Sequence, residues 1–214
     1  MFFALISPIF CLIYPNYTLV DESVFSKNLV TTDMTVSSLL ENCNFVSQSK
    51  TSRILNGDRL QEILAFITPW NSDGYRLSLE FGSKFTIIVP VWFQLRYSDG
   101  KYYISGDVNE TWLSEMSQKH PHVSVVPRLL FEISPDLFVR DFKHVSEQAR
   151  LELLSISQKY KIKGVFLECP NFFFIPKCMS LLPSFIKTIK KSFHDKNSLI
   201  LIDIPSHEKY QYAP

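Results

Sequence analysis

Residues 123–169 read VSVVPRLLFEISPDLFVRDFKHVSEQARLELLSISQKYKIKGVFLEC, and this stretch decides the fold. Each end is a short apolar run, VSVVPRLLF at 123–131 and GVFLEC at 164–169. Between them the spacing predicts a helix over about 138–161. Phe142, Val145, Ala149, Leu153, Ile156 and Tyr160 recur at intervals of 3, 4, 4, 3 and 4, which draws one stripe on a helical surface. Two strands buried on both faces and joined by a crossover helix form a parallel βαβ unit.

The same grammar extends in both directions. Upstream, residues 62–68 (EILAFIT) form a strand closed by the turn residues Pro69-Trp70-Asn71-Ser72-Asp73-Gly74. Residues 85–95 (FTIIVPVWFQL) form a second strand, Ser98-Asp99-Gly100 and the run 101–104 suggest a hairpin, and 110–118 a short helix. Downstream, Met179, Leu182, Ile186, Ile189 and Phe193 fall at helical spacing, with Pro183 either kinking that helix or opening a second. Residues 198–204 (SLILIDI) supply a fifth strand. Apolar strands alternating with amphipathic helices define an α/β fold with a helix-covered parallel sheet. An open doubly wound sheet and part of a (β/α)8 barrel both fit. No GxGxxG or GxxxxGK[ST] follows the first strand, so an open nucleotide-binding sheet lacks its phosphate loop.

Composition agrees with a packed domain. The 214 residues are 46% apolar and 20% charged, which excludes a disordered chain. The net charge of +1 leaves no nucleic-acid footprint. Aromatics reach 14%, enough for a packed core and for stacking on a flat ligand.

The apolar run at 2–13 has the length of a signal-peptide core and falls short of the ~20 residues of a membrane span. The expected organisation is a signal peptide at 1–20, an extended leader at 21–58 and the β/α domain at 59–214, with no membrane span in the mature chain. Cys11 would leave with the signal, and Cys43, Cys169 and Cys178 remain, an odd number that leaves a thiol free. There is no CxxC, and the five histidines are scattered, so no metal and no cofactor are expected. Of two glycosylation sequons, Asn109-Glu110-Thr111 lies in a polar loop and is the better candidate.

FITPWNSDGY, FGSKFTIIVPVWFQL, SVVPRLLFE, KGVFLECPN and SLILIDIP occur in this order. Over about residues 25–210 this series resembles the chitinase-like members of the family 18 glycoside hydrolases. The resemblance implies a (β/α)8 barrel, here incomplete with about its first five strands, and a secreted or lysosomal protein. The family's signature on the fourth strand is DGxDxDxE, whose last Glu is the general acid while the substrate's own acetamido group is the nucleophile. Laid on residues 163–170, the three Asp positions become Lys163, Phe166 and Glu168, and the proton donor becomes Pro170. Proline has no proton to give, so the expectation is no ordinary family 18 catalysis and a chain that is not an enzyme. Glu168 lies one inward position deeper, about 6–7 Å along the strand from the donor position. Arg128 on the neighbouring strand is its natural ion-pair partner.

Barrel sites form at the C-terminal ends of the strands. That criterion selects Trp70, Asn71, Trp92, Glu132, Glu168 and Asn171 as candidate carbohydrate contacts, a tryptophan platform with polar rims. The expected function is carbohydrate binding without hydrolysis, with an oligosaccharide of N-acetylglucosamine implied by the resemblance. Two alternatives stand beside it: interaction with a scavenger-type receptor over a vestigial cleft, and weak hydrolysis using Glu168.

Overall fold

The structure is a computed structural model that describes residues 18–20, 26–47, 54–55, 59–60, 62–193 and 198–204. The chain divides into two compact units, Met1–Ile63 and Leu64–Pro214. In the first, Thr18–Val20 pairs in parallel with Phe45–Ser47, and a helix spans Val36–Asn42. Thr35 caps that helix reciprocally with Ser38. The stretch read as an extended leader thus carries a capped helix, whose polar Ser/Thr residues supply the cap instead of a periodic face. The apolar run at 2–13, the body of the expected signal peptide, lies outside the described residues.

Elements of the second unit are labelled from its own start. They are β1 (Leu64–Ile67), α1 (Ser72–Phe81), β2 (Ile87–Pro90), β3 (Phe93–Ser98), β4 (Lys101–Ser105) and α2 (Glu110–Lys119). There follow β5 (Ser124–Val125), β6 (Arg128–Phe131), α3 (Pro135–Arg140), α4 (Phe142–Tyr160), β7 (Gly164–Glu168), α5 (Pro176–Ile189) and β8 (Leu199–Ile202). β1, β2 and β5 form one parallel sheet, and β8, β7, β6 and β3 another, extended by the antiparallel β3–β4 hairpin.

The two sheets are levels of one wall. β2 and β3 are successive pieces of the second expected strand, interrupted at Val91-Trp92, and β5 and β6 of the third, interrupted at Val126-Pro127. Proline brings no N–H to a ladder, so regular pairing stops beside Pro90 and Pro127. Single hydrogen bonds join neighbouring runs at the interruptions: Val91 N to Ile67 O at 2.8 Å, Val126 N to Ile88 O at 2.9 Å and Phe166 N to Pro127 O at 2.9 Å. The result is five parallel runs side by side in chain order, with helices on one face.

Alternation sorts the side chains. Ile87, Val89, Val126 and Phe166 pack together with Leu199 and Leu201 on the face away from the helices. Val165, Leu167 and Cys169 belong to the larger core against the helices. That core centres on Phe131, Phe138, Phe172 and Phe185, whose rings meet at centroid distances of 4.7–6.1 Å. They join β6, α3, the turn Pro170–Phe174 and α5.

Two helical expectations are corrected. Residues 72–81 form α1, where the turn chemistry at 69–74 gives no sign of a helix. The helix expected over about 138–161 is two helices, α3 and α4, broken at Asp141. Of the two alternatives for Pro183, opening a second helix is excluded: α5 runs through it from Pro176 to Ile189.

Candidate functional site

The first three strand runs end at a cleft of about 610 Å³ lined by Trp70, Trp92, Gln94, Arg128 and Glu132, together with the segment Gly106, Asp107, Val108 and Asn109. Three devices build it. The turn after β1 presents Trp70, which is 78% exposed. The hairpin β3–β4 leads out of the sheet and returns across strand two at Gly106, whose φ of 134° and closeness to the Trp92 carbonyl leave no space for a side chain. Asn109 then caps α2, its Oδ1 accepting from Trp112 N at 3.0 Å, which fixes the direction of the cleft wall.

Polar groups gather on the face of the sheet away from the helices. Gln94, Leu130 and Glu168 stand in register across β3, β6 and β7. Arg128 reaches diagonally to Glu168, its Nη2 donating to Oε1 at 2.8 Å and its Nε in ion-pair contact with Oε2 at 2.5 Å. Glu132 pairs with Arg96 at 2.8 Å in a more open setting. Ser105 Oγ donates to Gln94 Oε1 at 3.1 Å and ties the hairpin to the row. Among the described residues, no group of three His, Cys, Asp or Glu side chains is arranged to hold a metal ion. No described helix is long and apolar enough to cross a membrane. Cys43, Cys169 and Cys178 are unpaired, and burial pushes the Cys169 thiol up to about 12.

The structure gathers some of the expected contacts and separates others. Trp70 and Glu132 line the cleft. Trp92 as a sugar platform is corrected: it is 2% exposed, its Nε1 donates to Tyr75 Oη at 2.8 Å, and its ring packs edge-on against Trp112. It is floor, and its faces are spent on the core. Asn71, Asn171 and Glu168 are not among the cleft-lining residues. Asn71 begins α1 exposed, and Asn171 is left outside when Phe172 and Phe173 turn into the core. Glu168 meets the cleft only through Arg128. Sequence reasoning missed Asp107, a cleft carboxylate carried there by the hairpin. Gly106 before it was the available signal, a glycine at the exit of a strand.

No protein-family model matches the chain. Its fold is found in solved structures of enzymes. A chitinase from Chromobacterium violaceum superposes with a TM-score of 0.53 at 11% identity, over 66% of this chain and 44% of that one. A chitinase from Bacteroides thetaiotaomicron gives 0.50 at 17% identity, over 68% and 47%. The spore cortex-lytic enzyme of Bacillus megaterium gives 0.51 at 12%, over 87% and 46%. The chain therefore has a chitinase-like fold, an incomplete barrel of the (β/α)8 type, and spans less than half the length of these neighbours. The expectation that the chain is not an enzyme is corrected by this comparison. It rested on Pro170 alone, whereas the shared architecture is that of glycoside hydrolases. Pro170 lies outside the cleft lining, which carries the carboxylates Asp107 and Glu132.

Proposed function

We propose that the cleft binds an oligosaccharide containing N-acetylglucosamine, and that the chain is a secreted or lysosomal relative of chitinase domain-containing protein 1. The observation that carries the reading is the juxtaposition of a 78% exposed Trp70 with a polar cleft wall. A pyranose offers a flat apolar face with hydroxyls around its rim, which suits an open indole beside Gln94, Asp107 and Glu132. Titration of chitotetraose is the test. Saturable binding that weakens about two- to tenfold in Trp70→Ala, with an unchanged melting temperature, supports the reading, because ring stacking contributes about 0.5–1.5 kcal/mol beyond area burial. Absence of saturable binding would overturn it.

A second reading, hydrolysis in the same cleft, is favoured by the carboxylates Asp107 and Glu132 and by the hydrolytic neighbours. Turnover of a fluorogenic chitobioside, abolished in Asp107→Asn or Glu132→Gln, would establish it. A wild-type chain that leaves the chitobioside intact would remove it.

A further inference from the structure

We propose that Asn109 carries an N-linked glycan whose first two sugars occupy the cleft mouth, so that glycosylation controls access of an outside ligand. The inference rests on the reading above, in both its sugar chemistry and its secretory route.

Three observations converge on this side chain. Asn109 opens the sequon Asn109-Glu110-Thr111. It is exposed, and it lines the cleft together with Trp70. Its Oδ1 is engaged as the cap of α2 by Trp112 N at 3.0 Å, which leaves the amide nitrogen for other chemistry. Capping and glycosylation therefore use different atoms of one residue. In the transfer, Nδ2 bonds to the anomeric carbon of an oligosaccharide carried on a polyprenyl pyrophosphate. The bond from that carbon to the pyrophosphate oxygen breaks, the pyrophosphate leaves with the electron pair, and one Nδ2 proton passes to solvent. Oδ1 keeps its hydrogen bond, so α2 stays capped.

The product places β1,4-linked N-acetylglucosamine at the rim of a cleft proposed to take that unit. A tethered ligand acts at an effective concentration in the millimolar range. Free oligosaccharide must compete against it.

The test uses the full 214-residue chain secreted from a eukaryotic host. Intact mass is read before and after enzymatic removal of N-glycans, and chitotetraose is titrated into the glycosylated chain, the deglycosylated chain and Thr111→Ala. Thr111→Ala destroys the sequon and spares the cap. Deglycosylation leaves Asp at position 109, which also caps. The expected result is a glycan on Asn109 and binding about tenfold weaker in the glycosylated chain than in the other two. An unmodified Asn109, or one affinity shared by all three forms, overturns the proposal and leaves the cleft reading standing. Absence of binding in all three overturns both.

Discussion

Arg128 and Glu168 hold each other across adjacent parallel strands, two positions apart in register, with Nη2 2.8 Å from Oε1. Their side chains are 16% and 26% exposed, so the pair is largely withdrawn from water. Losing one partner strands the other. We expect Arg128→Leu to cost about 2 kcal/mol, below the range for fully buried pairs because some hydration remains. The double variant Arg128→Leu/Glu168→Leu should recover at least half of that loss. Urea midpoints arranged as a double-mutant cycle check this, and a double variant no better than the single would refute it.

Tyr102 links the hairpin to the helical layer and makes stability depend on pH at both extremes. Its Oη donates to Asp141 Oδ2 at 2.7 Å, at the break between α3 and α4. Hydrogen bonds from Arg140 first, and then from Tyr102, hold the Asp141 carboxyl down at about 2. Burial, and then the bond to Asp141, push the Tyr102 hydroxyl up to about 12. A lowered carboxyl stabilises the fold above its ordinary value of 3.8, and the contribution fades as pH falls toward about 2. A raised phenol stabilises below pH 10.0, and that contribution fades as pH rises toward about 12. Melting temperature against pH should therefore drop in both windows. Tyr102→Phe should flatten the alkaline drop and shrink the acid one, and a variant profile parallel to wild type would count against the link.

Phe138 is the residue on which four elements converge, fully buried among Phe131, Phe142, Phe172 and Phe185. Phe138→Ala should cost about 3–5 kcal/mol, from lost transfer energy and the cavity left behind. Phe174, in the same aromatic run as Phe172 but 59% exposed, should tolerate alanine within about 0.5 kcal/mol. Thermal melts of the two variants give the contrast, and equal losses would mean the core is centred elsewhere.

At Gly106 a side chain meets the Trp92 carbonyl, and its φ of 134° suits only glycine. Gly106→Ala should cost about 1–3 kcal/mol in backbone strain and displace the wall that carries Asp107 and Asn109. Chemical shifts of residues 105–109, compared with those of β7, would show whether the disturbance stays in the wall. Unchanged shifts in both regions would disprove it.

Strands and long helices were legible because their signals are local. The stripe of α4 and the apolar run of β7 stand where spacing puts them. α1 was hidden by its own composition: Tyr75, Leu77, Leu79 and Phe81 alternate as in a strand, and Gly74 stands in the first turn. Only tertiary packing selects the face with Tyr75 and Leu79, which rests on the main core. The site was legible at its rim and not in its depth. Trp70 and Trp92 follow similar strands, yet one is open and the other is closed over, its indole N–H donating to the hydroxyl of Tyr75 from another element, α1. The register between β6 and β7 did suggest the Arg128–Glu168 contact. Asp107 entered the cleft by way of a hairpin whose path no spacing rule encodes.

The interruptions beside Pro90 and Pro127 have a mechanical meaning. Because they fall on adjacent runs, they cut the wall along a shared fault line. On the face away from the helices, Ile87 and Val89 lie below it, and Gln94, Arg128 and Glu132 above it. Above it the same strands carry both duties: Leu95, Leu129, Phe131 and Leu167 are buried in the main core, while Gln94, Arg128 and Glu132 face the cleft. In this wall the cleft and the core are therefore divided by alternate residues of the same strands.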